Sequence, residues 1–173
     1  MKIGLFYGSD TGNTEEVVNS LIELLGAENI DEHYVSDASA ETFAEYERIV
    51  IGIPTWYDGE LQSDWETAYD NYFQEIDFTG KTVAIFGLGD QHGYGDWFID
   101  GVGILADVVM ENGGQLIGLW DAEGYEYAAS KAEIELEGHT YFKGLAIDVD
   151  NEPELTDERL QIWTEQILEE FES

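Results

Sequence analysis

Apolar residues along the 173-residue chain fall into two alternating patterns. Ile3–Tyr7, Arg48–Ile53, Thr82–Gly87 and Gln115–Trp120 are strand-length runs with little polar interruption, which predicts strands buried on both faces. A shorter candidate lies at His33–Val35. Between the runs, Phe98, Val102, Leu105 and Val109 step by four, three and four, and Leu160, Trp163, Ile167 and Phe171 step by three, four and four. Each set is one face of a helix. Val17, Val18, Leu21, Ile22 and Leu25 mark a third helix, and Ser63-Asp64-Trp65-Glu66 reads as a capping box opening a fourth. This βαβαβαβα order predicts an α/β fold in which a parallel sheet carries helices on both faces.

One segment departs from that rhythm. Residues 121–140 mix polar and aromatic positions, hold Glu133, Glu135 and Glu137, and keep no period. An apolar run resumes at Tyr141–Ile147, so 121–140 reads as an insertion that interrupts or extends the last strand before the final helix. With no repeat, linker or low-complexity tract, the reading is a single domain over 1–173.

Open parallel sheets hold ligands beyond the C-terminal ends of their strands, so the residues there carry the candidate chemistry. After the first strand come Gly8-Ser9-Asp10-Thr11-Gly12-Asn13-Thr14, leading straight into a helix. Hydroxyls, backbone N–H groups and a helix N-terminus together suit a phosphate, although Ser, Thr, Asp and Asn are also ordinary helix caps. A cap needs one such residue and this loop offers five. No GxxxxGK[ST] or GxGxxG pattern is present, and Lys2 is the one basic residue among the first 47, so a phosphate would rest on neutral donors. Pro54-Thr55-Trp56-Tyr57-Asp58-Gly59-Glu60-Leu61 follows the Arg48–Ile53 run, and Leu88-Gly89-Asp90-Gln91-His92-Gly93-Tyr94-Gly95-Asp96-Trp97 follows Thr82–Gly87. Both predicted loops set large aromatics among glycines, which suits a planar ligand stacked between Trp56 and Tyr94; the alternative is aromatics folded back over the sheet end.

Composition narrows the field. Six Lys and Arg against 39 Asp and Glu give a formal net charge of −33. Such a surface repels nucleic acid and anionic lipid and attracts partners with basic docking surfaces. It equally describes a solvated monomer surface, or an adaptation to high salt. The absence of cysteine removes disulfides, thiol nucleophiles and Cys-ligated metal. His33, His92 and His139 are far apart in sequence, so no histidine metal site is expected, and the carboxylates show no assignable acid/base pair. No stretch is long and apolar enough for a membrane span, and the start lacks a secretory pattern, which reads as a cytoplasmic protein without membrane insertion.

At this point Ser9-Asp10-Thr11-Gly12-Asn13-Thr14 fits the phosphate motif [TS]-x-T-G-x-T of flavodoxins. Pro54-Thr55-Trp56 and Gly89-Asp90-Gln91 with Tyr94 resemble the two ring-binding loops of that family, and residues 121–140, with Ser130-Lys131-Ala132 and Gly144–Asp148, resemble the long-chain branch. The resemblance spans essentially the whole chain. It implies a flavodoxin-like doubly wound five-stranded parallel sheet, order 2-1-3-4-5, with the last strand interrupted. It also implies non-covalent FMN, with Ser9, Thr11, Asn13, Thr14 and the backbone of Asp10 and Gly12 on the phosphate. Trp56 and Tyr94 would sandwich the ring, Asp90 and the backbone near Leu88 and Gly89 would meet its pyrimidine edge, and Tyr57-Asp58, beside Gly59, would sit by N5. Asp10 and the bulky Trp97 depart from the family's usual pattern, as do Tyr57 and Asp58.

The implied activity is a low-potential one-electron shuttle working between the flavin semiquinone and hydroquinone. One carboxylate ~8 Å from the reduced ring, at an effective dielectric of ~20, costs ~2 kcal/mol before salt screening, or ~90 mV for one electron. A few such charges make the last couple strongly negative. The implied partners are a ferredoxin–NADP reductase-type flavoprotein, with photosystem I, nitrogenase or a pyruvate oxidoreductase at the other end. The rival is a flavin-dependent NAD(P)H:quinone-type oxidoreductase, since fold alone does not decide function. A phospho-acceptor receiver domain fits poorly, because it wants an aspartate where the chain has Ile53-Pro54-Thr55.

Overall fold

A computed structural model describes residues 2–8, 12–56 and 59–173, with Trp56 described by its backbone alone. The elements run β1 (Ile3–Tyr7), α1 (Asn13–Leu25), β2 (Ile30–Tyr34), α2 (Ala40–Ala44), β3 (Arg48–Trp56), β4 (Glu60–Leu61), α3 (Ser63–Asn71) and β5 (Thr82–Leu88). They continue through α4 (Asp100–Glu111), β6 (Gln115–Ile117), β7 (Trp120–Asp121), β8 (Glu133–Leu136), β9 (His139–Phe142), β10 (Leu145–Ile147) and α5 (Thr156–Glu172).

The main sheet is parallel in the order β2-β1-β3-β5, and one further position beside β5 is shared by two short strands. β6 pairs with Thr82–Ala84 and β10 with Phe86–Leu88, so they are the two halves of an interrupted fifth strand. The expected 2-1-3-4-5 order is therefore observed, with the short antiparallel β4 added beside β3.

Alternation along the strands fills two cores. Phe6, Ile49, Ile51, Ile53, Val83 and Ile85 face α2, α3 and α4 through Phe43, Trp65, Val102 and Leu105. Leu5, Tyr7, Val50, Ala84 and Phe86 face α1 and α5 through Val18, Leu21, Leu160, Trp163 and Ile167. The helical faces read from spacing are the buried ones. The indole N–H groups of the two fully buried tryptophans are satisfied, Trp65 donating to the Gly52 carbonyl and Trp163 to that of Gly118.

Several boundaries differ from expectation: β2 is Ile30–Tyr34 in place of His33–Val35, β5 runs on to Leu88, and the fifth strand resumes at Leu145, with Tyr141 and Phe142 belonging to the insertion's sheet. Pro54, Thr55 and Trp56 continue β3 instead of forming a loop, because β5 pairs with Pro54 and β4 folds back on Thr55 and Trp56. Trp120 leaves the fifth strand, since Gly118, at φ 75°, turns the chain after Ile117. The cap of α3 is Gln62, whose side chain accepts the Trp65 N–H, so Ser63 is the first helical residue and not the cap.

The insertion is an antiparallel sheet, β7-β9-β8, turned at Glu137-Gly138. Its Tyr125, Tyr127 and Phe142 rings pack around Phe98, immediately before α4. It lies so close to α4 that a Cβ on Gly103 would overlap the Lys131 carbonyl. Gly103→Ala is therefore expected to destabilise the protein by about 1–3 kcal/mol through overpacking, despite alanine's better helix propensity. Urea unfolding measures it, and a stabilised variant would mean that the insertion does not rest on α4.

Candidate functional site

β1 and β3 lie side by side where the strand order reverses, the position at which doubly wound sheets bind ligands. The three loops singled out from the sequence leave β1, β3 and β5 at this same end. Ser9, Asp10, Thr11, Tyr57, Asp58 and the Trp56 side chain lie outside the described residues.

After β1, the residue that caps α1 is Gly12, at φ 86°, and it has no side chain to cap with. The ordinary-cap reading of the hydroxyl-rich loop is thus not what the described residues do. Asn13 opens the helix and Thr14 follows, only 1 % exposed. The Thr14 Oγ1 is buried and has no hydrogen-bond partner among the described residues. A buried hydroxyl without a partner is costly, and this one stands in the first helical turn, where N–H groups and the helix dipole favour an anion. The donor set therefore fits a phosphate. Lys2 is at the opposite end of β1, bonded to the Glu28 carbonyl and paired with Asp31, so it adds nothing here.

After β3, the buried Thr55 hydroxyl accepts the Gly101 N–H and so ties the strand end to the start of α4. Beyond the tip, Gly59 is buried at φ 80°, and a Cβ there would stand 2.6 Å from Asp100 Oδ2 and 3.1 Å from Trp97. A side chain would be both strained and blocked. Asp100 is itself buried, which pushes its carboxyl above the ordinary aspartate range against the pull of the Lys131 N–H on Oδ1.

After β5, Leu88 and Gly89 are buried, and the Gly89 N–H donates to Ile147 at the end of the split strand. Asp90 then closes a turn: its Oδ1 accepts the N–H groups of His92 and Gly93 and the Asn151 side-chain amide. Burial raises the Asp90 carboxyl, but the bonds from Gly93, Asn151 and His92 outweigh it and hold it below its usual range. Tyr94 and Trp97, both partly buried, follow, with the Tyr94 N–H donating to the Asp90 carbonyl and the Trp97 N–H to that of Tyr94. The aromatic loop is thus a sequence of locked turns.

The insertion backs this loop. Ala128 and Ala129 donate N–H bonds to the Gly95 carbonyl, Ser130 Oγ donates to the Phe98 carbonyl, and the Glu126 N–H donates to Gln91 Oε1. These contacts of the insertion brace the aromatic loop. Reading by sequence also missed Asp148 and Asn151. The signal was available, since Asp148 directly follows the last apolar run and so stands at the same ligand-binding end of the sheet.

The fold also joins what sequence spacing kept apart. His139 Nε2 lies 2.7 Å from Asp121 Oδ1, with Glu123 close by, all on the outer part of the insertion. Among the described residues no helix is long and apolar enough to cross a membrane.

A family model described as Flavodoxin matches residues 5–163. The chain is 46% identical over 171 residues to a flavodoxin of Picosynechococcus, covering 98% of both chains. Flavodoxin 1 of Escherichia coli is 44% identical over 168 residues, covering 97% of this chain and 93% of its own. Among solved structures, the Fusobacterium nucleatum flavodoxin bound to flavin mononucleotide superposes with a TM-score of 0.89 at 32% identity, over 98% of each chain. The same switch-point loops, split fifth strand and near-complete coverage by these relatives lead to one assignment: the chain belongs to the flavodoxin family.

Proposed function

We propose that this protein carries single electrons at low potential between redox proteins, using non-covalently bound FMN at the ends of β1, β3 and β5. It acts as a single-domain monomer and turns over no substrate of its own. The observation that carries this reading is the buried Thr14 hydroxyl at the start of α1, without a partner among the described residues, beside two aromatic loops at a topological switch point. Its relatedness to flavodoxins, one of them seen with FMN bound, supports the cofactor.

Bound FMN supplies the uptake and release of electrons one at a time. The chain's residues determine how tightly it is held and at what potential. Thr14, with Ser9, Thr11, Asn13 and the backbone of Asp10 and Gly12, holds the phosphate through neutral donors and the helix dipole. Trp56 and Tyr94 would hold the ring between them, and Trp97 would add a third aromatic beside it. Tyr57-Asp58 would meet N5, with Pro54, Thr55 and Gly59 completing that side of the site. Leu88, Gly89 and Asp90 form the pyrimidine edge. Because the Asp90 carboxylate already accepts two N–H groups of its own loop and the Asn151 side-chain amide, the edge is contributed mainly by backbone.

Electrostatics favours electron release. Asp90, Asp100, Asp148, Asp150 and Glu152 gather around the aromatic loop, and Arg159 is paired to Glu152. Negative charge added to the ring is repelled by these groups and by the net −33 of the whole molecule. The same field draws in partners with basic docking surfaces, of the ferredoxin–NADP reductase type on one side and photosystem I, nitrogenase or a pyruvate oxidoreductase on the other.

Anaerobic reductive titration of the FMN-loaded protein tests the reading. Two separated one-electron steps are expected, with a long-wavelength band that rises and then falls. Bleaching in a single two-electron step, or steady NAD(P)H oxidation without an added reductase, would indicate a flavin enzyme instead.

A further inference from the structure

Asp148 is fully buried, yet no Lys or Arg pairs with it among the described residues. Five N–H donors converge on its two oxygens. Oδ2 accepts the Gln91 N–H at 3.1 Å, the Gln91 side-chain amide at 2.9 Å and the Asn151 side-chain amide at 2.8 Å. Oδ1 accepts the N–H groups of Asp150 and Asn151, at 3.2 and 3.0 Å. Every partner of these two oxygens is an N–H donor, so the side chain serves here purely as an acceptor. Its partners divide into two groups, the turn that follows β10 and Gln91 of the aromatic loop.

These bonds extend further. The Asn151 amide that donates to Asp148 also donates to Asp90 Oδ1, so Asp90 is held from both sides of its own turn. Gln91 also donates to Glu152 and accepts from the Glu126 N–H of the insertion. Glu152 in turn takes Arg159, whose guanidinium lies 4.4 Å from the centre of the Tyr125 ring. Beside the Gly89 backbone bond to Ile147, the side-chain bonds that reach the loop before Tyr94 from outside it, among the described residues, run through Gln91 or Asn151, and both are bonded to Asp148.

We propose that Asp148 is the positioning residue of the aromatic loop: one buried carboxylate joins the end of the split fifth strand to Asp90-Gln91 and presets the Tyr94 side of the cofactor site. The inference rests on the proposed FMN site. A side chain that fixes a loop before the ligand arrives lowers the ordering cost of binding, and its loss appears in affinity as well as in stability. Its charge is also of a different kind from the surface carboxylates. Being out of solvent, it is screened little by salt.

Asp148→Asn keeps the size and turns one acceptor into a donor that faces other donors. In wild-type protein, quenching of free FMN fluorescence on binding measures the dissociation constant, and its absence there would overturn the site itself, separately from this inference. Given binding, D148N is expected to raise the FMN dissociation constant by about tenfold or more. It should also move the midpoint potential of the last electron upward by the same amount at low and at molar salt. A lower melting temperature with unchanged affinity and potential would overturn the proposal and leave Asp148 a residue of stability alone. Should D148N not fold, Asn151→Ala removes the amide that joins Asp148 to Asp90 and leaves the backbone bonds to Asp148. A rise of about threefold in the dissociation constant is then expected, and no change would overturn the proposal.

Discussion

Thr14→Val is expected to weaken FMN binding roughly 10- to 150-fold while leaving the apoprotein as stable as before or more so. The two effects have opposite signs because the hydroxyl has two different environments. Without a phosphate it is buried and has no partner among the described residues, so valine, of nearly the same shape, removes a desolvated group that gains nothing from folding. With a phosphate it donates to a charged acceptor, a bond worth about 1.5–3 kcal/mol. Fluorescence titration with FMN and thermal melts of the apoprotein read the two quantities separately. A variant that loses stability and keeps its affinity would place the phosphate elsewhere.

Melting temperature is expected to rise by ~10 °C or more between ~0.05 M and ~2 M KCl. Leaving out the buried Asp100 and Asp148, the 37 remaining acidic side chains share 7992 Å² of surface, roughly 15 Å between neighbours, comparable to the Debye length of ~10 Å at 0.1 M salt and far beyond ~3 Å at 1 M. Each carboxylate therefore feels its neighbours at low salt and hardly any at high salt. Six Lys and Arg cannot offset this, and the ion pairs they form are mostly exposed at one partner or both. A flat melting curve over that range would mean that self-repulsion is not a significant load on the fold. Steering of a basic partner has the opposite salt dependence, so electron transfer between separate proteins should slow as the fold becomes firmer.

Much of the fold was legible because both faces of the sheet are covered. Strands such as Arg48–Ile53 and Thr82–Gly87 must then be apolar throughout, and the helices facing them apolar on one stripe, so Leu160, Trp163, Ile167 and Phe171 announced themselves. The boundaries were less legible because pairing partners determine them. Pro54 suggests a loop by its chemistry and stands in β3 because Leu88 lies in register beside it. Of the site, the residues carried by contiguous motifs could be read. The link between Gln91 and Asp148 joins positions 57 apart in sequence, and only the packing of β10 beside β5 brings them together.

The division of the fifth strand has a consequence for colloidal behaviour. An exposed sheet edge is a template on which a second chain can add, and a molecule whose charge is screened by concentrated salt loses the repulsion that would otherwise prevent it. Here one edge of the main sheet is broken into two pieces of three residues, and the other, β2, is a five-residue strand bearing Asp31 and Glu32. The insertion repeats the device, with a two-residue β7 at one side and Glu133 and Glu135 along β8 at the other. Among the described residues every edge strand is five residues or shorter, so a limit on edge pairing is built into the strand lengths and persists where the electrostatic kind is switched off.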